Sequence, residues 1–106
     1  MYRIIDKRGS GKTSRLMLLA KEQDATIICS NPDAFQYKAN AYGLDGIRFT
    51  SYDDYWNNPS NCCGPFLIDE LDAFLKTFDM RLIGYCLTPD DFELSQQVFM
   101  LCLRER

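Results

Sequence analysis

Short apolar runs alternate with segments of helical pattern along most of this chain, and this alternation limits the folds open to it. The runs are rich in Ile, Leu, Phe and Tyr and predict strands over residues 2–5, 25–30, 47–50, 65–69 and 81–87. Strands separated by helices need crossover connections, which join parallel strands. We therefore expect an α/β fold, a three-layer sandwich with a mainly parallel sheet of about five strands.

Helix signals fill the segments between the runs. The predicted helices cover residues 12–23, 32–42, 51–56 and 71–78, and a last helix opens at residues 88–91. Asn31 before Pro32 is a cap residue followed by proline at the first helical position. Ser51 and Asp54 resemble a capping pair for a single turn. The last helix would carry apolar residues on one face: Leu94, Val98, Leu101 and Cys102.

Length and composition narrow the class of protein. The 106 residues, 46% of them hydrophobic and 25% charged, predict a single domain over residues 1–106. No apolar run approaches the ~18 residues that cross a bilayer, and the chain is charged too soon for a secretory signal. We therefore expect a cytoplasmic protein without membrane association, whose five cysteines stay reduced. The absence of histidine excludes His-based acid–base catalysis and the common zinc sites.

The charge pattern gives little support to nucleic-acid binding. The net charge is −3, so no global basic field is expected. Arg8 and Arg15 are close in sequence and could contact phosphates, but we expect both to be exposed surface charges. An aromatic cluster follows the third predicted strand, and we expect core or rim packing rather than base stacking for its members, Tyr52, Tyr55 and Trp56.

A glycine-rich stretch between the first strand and the first helix is the strongest chemical signal. Its residues are Gly9, Ser10, Gly11, Lys12, Thr13 and Ser14. Glycines allow the backbone dihedrals that turn N–H groups towards a phosphate, and a helix N-terminus attracts the same anion. In such a loop Lys12 reaches the terminal phosphates and the Thr13 hydroxyl binds Mg²⁺. The stretch therefore predicts a nucleotide-binding loop.

Residues 6–13 match the pattern GxxxxGK[ST] of the P-loop NTPases except at the first position, where Asp6 replaces glycine. The segment 8–13, RGSGKT, resembles ATPases of phage packaging and of mobile elements. This resemblance implies a small ATPase that binds ATP or another nucleoside triphosphate with Mg²⁺. This departure at Asp6 has an electrostatic consequence. The Asp6 carboxylate repels a triphosphate unless it points away or is offset by Lys7 and Arg8.

A second acidic motif follows the fourth predicted strand. Asp69 and Glu70 end the apolar run 65–68, and parallel strands bring ligands to their carboxyl ends. By the resemblance, Asp69 helps hold Mg²⁺ and Glu70 is the catalytic residue that activates the attacking water. Acidic residues also favour helix starts without any catalytic role. Thr88 is a candidate sensor of the γ-phosphate, although a threonine at this position is also typical of a helix N-cap.

Three functional hypotheses follow from these motifs. The first is an ATPase that belongs to the division of P-loop NTPases with an additional strand and a catalytic glutamate. In that division the strand over residues 81–87 lies between strands 2–5 and 65–69. The second is a non-catalytic P-loop-fold protein that modulates a larger machine. A third, a nucleoside kinase, rests on a faint similarity of residues 66–74 to type II thymidine kinases. The small size of the chain favours action through a protein partner or self-assembly.

Overall fold

The structure is a computed structural model that describes residues 1–62, 64–87 and, for their backbone pairing, 93–94. Its elements follow one another as β1 (Arg3–Ile4), α1 (Lys12–Gln23), β2 (Thr26–Cys29), α2 (Pro32–Ala41), β3 (Arg48–Ser51), α3 (Tyr52–Asn57), a 3₁₀ turn (Pro59–Asn61), β4 (Phe66–Ile68), α4 (Leu71–Phe78) and β5 (Glu93–Leu94). The first four predicted strands and the first four predicted helices are confirmed, with small shifts at their ends. The chain thus has the expected α/β character.

The central sheet has three parallel strands in the order β3–β2–β4. Thr26 at the start of β2 lies opposite Arg48 of β3 and Phe66 of β4. All four residues of β2 are buried, as expected of a strand with neighbours on both edges and side chains packed on both faces. Because the three strands run the same way, their carboxyl ends lie at one edge of the sheet.

Helices cover both faces of this sheet. Successive β2 side chains point in opposite directions, so they pack against helices on alternate faces. Ile27 and Cys29 pack with Met17 of α1 and Ala39 of α2. Ile28 lies in a separate cluster on the opposite face, with side chains of α3 and α4. The alternation of side chains along β2 therefore divides the hydrophobic core into two parts.

The starts of α2 and α3 have the local contacts that the sequence predicts. The Asn31 side chain accepts a hydrogen bond from the Ala34 amide at 3.2 Å, and Pro32 occupies the first helical position. The Ser51 hydroxyl accepts one from the Asp54 amide at 3.0 Å. Such side chains satisfy N–H groups that have no partner within the helix, so both helices begin where their caps place them.

The predicted strand over residues 81–87 is wrong. Asp79 instead organises a turn, in which its carboxylate accepts hydrogen bonds from the Arg81 amide and guanidinium. The residues that follow have no regular secondary structure, and Tyr85 donates a hydrogen bond to Asp72 of α4. The segment is therefore attached to a helix, and its predicted place between β1 and β4 is wrong as well.

The second pair of strands lies elsewhere in the sequence. β1 pairs in parallel with β5, with Arg3 opposite Glu93 and Ile4 opposite Leu94. The prediction that Leu94 belongs to a helical face is thus wrong. Residues 88–91 and the other residues assigned to that face lie outside the described residues. Among the described residues, no helix is both long and apolar enough to span a bilayer.

Candidate functional site

The glycine-rich loop and the acidic motif both follow strands and precede helices. The loop connects β1 to the N-terminus of α1, and Asp69 and Glu70 connect β4 to the N-terminus of α4. Ile4 of β1 and Leu67 of β4 both pack against Leu19 of α1, so the two strands that lead into the motifs lie close together. The pKa of the Asp69 carboxyl is raised chiefly by burial, and the charge of Lys12 is among the influences that lower it. The fold therefore brings together the two motifs that the sequence analysis selected.

The loop backbone depends on two glycines in the left-handed region. Gly9 has a φ of 79° and Gly11 a φ of 85°. A Cβ at either position would meet no atom within 4 Å, so the requirement for glycine comes from the dihedral angle and not from crowding. Between them, the Ser10 amide donates a hydrogen bond to the Lys7 carbonyl at 3.2 Å. The loop is consequently a tight, backbone-defined turn ahead of α1.

The N-terminus of α1 has no side-chain cap. Gly11 is its N-cap residue, and its first turn contains no acidic residue. α4 likewise begins without a side-chain cap, whereas α2 and α3 are capped by Asn31 and Ser51. The first N–H groups of an uncapped helix are available to an anion and carry a partial positive charge. Thr13 and Ser14 lie half-buried in this first turn.

Lys12 forms a hydrogen bond within the loop. Its Nζ donates to the main-chain carbonyl of Asp6 at 2.8 Å. The ammonium group therefore lies across the loop, from the first turn of α1 to the end of β1. An ammonium held by one neutral carbonyl keeps two further N–H donors for another acceptor.

Arg15 is buried, which contradicts the expectation of an exposed surface charge. The residue is 4% exposed, and its Nη2 lies 3.2 Å from the Asp6 carboxylate. The same guanidinium donates to the Ser10 hydroxyl at 3.1 Å and to the carbonyls of Ser10 and Gly11 at 3.4 Å. The charge of Asp6 is thus offset by Arg15, and not by Lys7 and Arg8 alone as the sequence predicts.

The buried Arg15 guanidinium keeps one donor group without a partner. Nη1 makes no hydrogen bond within the part of the chain that the structure describes. A buried donor left unpaired costs about 1–3 kcal/mol. Because burial of this unpaired donor is unfavourable, the contacts of Arg15 with the loop have to offset its cost and maintain the position of the side chain.

Asp69 is held by its main chain on two sides. Its amide donates to the Ile28 carbonyl at 2.9 Å, and its carbonyl accepts a hydrogen bond from the Tyr52 hydroxyl at 2.6 Å. Burial and the nearby charge of Glu70 raise the pKa of the Asp69 carboxyl, while Lys38 and Lys12 lower it. A half-buried carboxylate between like and opposite charges favours the approach of a cation.

Glu70 has an unusual backbone for its residue type. Its φ of 57° places it in the left-handed region, which non-glycine residues adopt at a cost of about 1 kcal/mol or more. Its carbonyl accepts the first helical bond of α4, from the Phe74 amide at 3.1 Å. Strain of this kind concentrates at functional sites; here it falls on the predicted catalytic residue and also on Asp24 at the end of α1, whose φ is 52°.

Sequence reasoning missed three contributors to the site. Arg15 follows Gly11 by four residues, a helical spacing that directs its side chain back over the loop, and this spacing could have identified it as the partner of Asp6. Tyr52 packs as expected, but its hydroxyl also anchors Asp69. The influence of Lys38 on Asp69 has no signal in the local sequence. Thr88, the predicted sensor, lies outside the described residues.

Two other features bear on the location of a ligand. A cavity of about 400 Å³ lies between β3, α3 and the 3₁₀ turn, and neither the loop nor the acidic motif contributes to its lining. Within the described ranges, no group of three or more carboxylate or cysteine side chains is placed to hold a metal ion.

Comparisons of the chain with protein-family models, curated proteins and solved structures give no match.

Proposed function

We propose that this protein binds a nucleoside triphosphate, with ATP as the first candidate, at the loop between β1 and α1. The observation that carries the proposal is the pair of left-handed glycines in front of an uncapped α1. These features supply main-chain N–H donors and the positive end of a helix dipole in one place. Lys12 and the acidic motif after β4 add the charges that a triphosphate and its cation require.

Lys12 changes partner when the nucleotide binds. In the structure its ammonium donates to the Asp6 carbonyl, and a bound β- or γ-phosphate oxygen offers a charged acceptor instead. Charge-assisted hydrogen bonds are roughly twice as strong as neutral ones. The lysine therefore leaves the carbonyl for the phosphate, while the N–H groups of residues 11–14 bind the remaining phosphate oxygens.

The donor set at this edge of the sheet fits Mg²⁺. Thr13 offers a hydroxyl and Asp69 a carboxylate, and Mg²⁺ in proteins is typically held by one or two such oxygens together with substrate phosphates. Asp69 lies near the like charge of Glu70, so a cation would relieve repulsion there. When bound, Mg²⁺ supplies neutralisation of the charge on the phosphate oxygens.

Glu70 is the residue we assign to hydrolysis. It follows Asp69 directly and is exposed, so its carboxylate is accessible to a water molecule. Glu70 accepts the proton of that water as its oxygen attacks the γ-phosphorus, and the bond to the β–γ bridging oxygen breaks to release the diphosphate. The strained backbone of Glu70 supports this role.

The finer description of the fold belongs to the same proposal. A three-layer sandwich of the P-loop NTPase type, as in small ATPases of phages or mobile elements, accounts for the parallel sheet with helices on both faces. The loop between β1 and α1 and the acidic motif after β4 occupy the positions that this architecture assigns to nucleotide and metal. Under this proposal, β5 replaces the segment 81–87 as the partner of β1.

A non-catalytic interaction protein is a second candidate, favoured by one observation. Large apolar side chains are exposed after α4, among them Met80, Ile83 (98% exposed), Tyr85 and Leu87. Where exposed apolar side chains form one patch, they typically mark a contact with another protein. Under this alternative the nucleotide regulates an association and is not turned over.

Isothermal titration with Mg-ATP and with Mg-GTP tests nucleotide binding. We expect micromolar binding by the unmodified protein and a loss of at least ~30-fold, about 2 kcal/mol, in Lys12→Ala. Lys7→Ala is the matched control, because Lys7 is an exposed lysine of the same loop and its replacement is expected to change affinity by less than ~3-fold. Equal losses in both variants, or no binding by the unmodified protein at millimolar nucleotide, would overturn the proposal.

Phosphate release distinguishes the ATPase from the interaction protein. We expect Glu70→Gln to retain nucleotide binding and to lose hydrolysis by ~100-fold or more, the usual range for a general base. Nucleotide binding without phosphate release by the unmodified protein would favour the second candidate, and turnover that is equal in the unmodified protein and in Glu70→Gln would overturn the role of Glu70. The unmodified protein without Mg²⁺ provides the blank.

A further inference from the structure

We propose that Asp6 and Arg15 form a clamp that holds the phosphate loop in its binding-ready shape and keeps the Asp6 carboxylate away from incoming phosphate. The clamp is the ion pair of these two residues together with the hydrogen bonds of Arg15 to the end of the loop. This inference deepens the proposed function, because it assigns positioning roles to two residues of the same site. Neither residue is assigned contact with the nucleotide.

Arg15 connects the two ends of the loop. Its Nη2 contacts the carboxylate of Asp6, where the loop begins, and the hydroxyl of Ser10, near its end. Its Nε contacts the Gly11 carbonyl. A planar guanidinium with several donors can make these contacts at once, which a lysine at the same position cannot. Without Arg15, the left-handed turns at Gly9 and Gly11 would lose their side-chain support.

Both carboxylate oxygens of Asp6 are engaged. Oδ1 accepts a hydrogen bond from the Lys7 amide at 2.9 Å, and Oδ2 accepts one from Arg15 at 3.2 Å. These interactions lower the pKa of the Asp6 carboxyl, with the Lys7 amide as the largest cause. Asp6 therefore stays ionised and paired, so its charge is balanced inside the loop and does not face the ligand uncompensated.

The clamp explains how an acidic residue is tolerated at the first position of the loop. An unpaired carboxylate beside a triphosphate would repel it. Arg15 is 4% exposed and Asp6 is only partly exposed, so this pair is less screened by solvent and salt than a surface pair. The acid and the arginine consequently depend on each other, and the effect of removing one depends on whether the other is present.

Backbone ¹⁵N relaxation on the ligand-free protein tests the clamp without any nucleotide. In Arg15→Met we expect the order parameters of residues 7–11 to fall from the rigid range near ~0.85 towards ~0.6, with those of β2 and α2 unchanged. Arg8→Met is the control, since it removes an exposed arginine of the same loop and should leave them unaltered. If Arg15→Met does not fold, Asp6→Asn gives the same test with a smaller change. Unaltered order parameters in the variant would overturn the clamp.

Titration with Mg-ATP then tests the electrostatic part. Arg15→Met should weaken binding by about tenfold or more, and the double variant Asp6→Asn/Arg15→Met should recover the electrostatic part of that loss because the freed carboxylate is gone. A merely structural arginine predicts no recovery, so a double variant as weak as Arg15→Met would overturn the electrostatic role. If the unmodified protein binds no nucleotide, the proposed function fails while the relaxation experiment still decides the clamp.

Discussion

Three residues of the candidate site are held in states that are uncommon for their residue types. Glu70 has a left-handed backbone, Asp69 is a half-buried carboxylate beside another acid, and Arg15 is a buried cation with an unpaired donor. Each state lowers stability, and natural proteins accept such costs mainly where they serve function. Asp69 and Glu70 follow β4, and Arg15 supports the loop that precedes α1, so all three residues belong to the two motifs of the candidate site.

Asp69 gives a pH-dependent prediction. Because its pKa in the folded protein is raised above the ordinary value of 3.8, the folded state favours the protonated carboxyl, and this contribution to stability is lost as the pH rises through the folded pKa. Asp69→Asn removes the ionisation, so we expect it to raise the Tm at pH 7 by a few degrees.

The same comparison at low pH provides the control for Asp69→Asn. Below pH 3.8 the carboxyl is protonated in both the folded and unfolded states, so the two proteins should unfold at nearly equal temperatures. Thermal unfolding followed by circular dichroism at both pH values measures this. A variant that is less stable than the parent at pH 7 would show that Asp69 has a structural role instead.

At the scale of elements, the helix starts form two groups, one stabilised by side-chain caps and one whose first amides stay open to a ligand. α2 and α3 begin with side-chain caps, whereas α1 and α4 begin at the candidate site without them. A cap satisfies the first amides of a helix, and its absence keeps those amides for a ligand. The chain therefore caps α2 and α3 with side chains and leaves the first amides of α1 and α4, the helices that follow the two motifs, uncapped.

Two substitutions at helix starts test this division. Asn31→Ala removes the cap of α2 and should lower the free energy of unfolding by about 1 kcal/mol without changing nucleotide affinity. Gly11→Ala imposes a side chain on a φ of 85°, and should cost about 1 kcal/mol in stability and also weaken Mg-ATP binding. Urea unfolding and calorimetric titration measure the two effects. An affinity loss in Asn31→Ala equal to that in Gly11→Ala would contradict the division.

The elements that could be predicted from sequence are those with local signals. The glycine loop, the Asn31 and Ser51 caps and the amphipathic α4 carry their information within a few residues. The segment 81–87 has the composition of a strand, but strand formation depends on an available edge more than on propensity, and the turn at Asp79 attaches the segment to α4 instead. The local charge pattern indicates Lys7 and Arg8 as the partners of Asp6, whereas Arg15, its partner in the structure, lies nine residues along the chain.

At the scale of the whole molecule, apolar side chains divide into a core and an exposed set. Ile28 is fully buried between β2, α3 and α4, whereas Ile83 is 98% exposed. The core set accounts for the stability of the described part of the chain. The exposed set has no comparable role there and is the surface that the second candidate function would use.

A matched pair of isoleucine substitutions tests this division. Ile28→Ala should lower the free energy of unfolding by about 2–5 kcal/mol, while Ile83→Ala should change it by less than about 0.5 kcal/mol. Urea unfolding at low protein concentration measures both. A large loss in Ile83→Ala would show that residues 80–87 pack against the rest of the protein, and would remove the support for an interaction surface there.

The place of β2 in the sheet has a consequence for biosynthesis. Both neighbours of β2 come later in the chain, β3 at Arg48–Ser51 and β4 at Phe66–Ile68. A nascent polypeptide emerging from the ribosome therefore presents the apolar β2 with both edges open until residue 51 has left the exit tunnel, and with one edge open until residue 68 has followed. During that interval the most buried strand of the finished sheet has unpaired N–H and C=O groups that could pair with another chain.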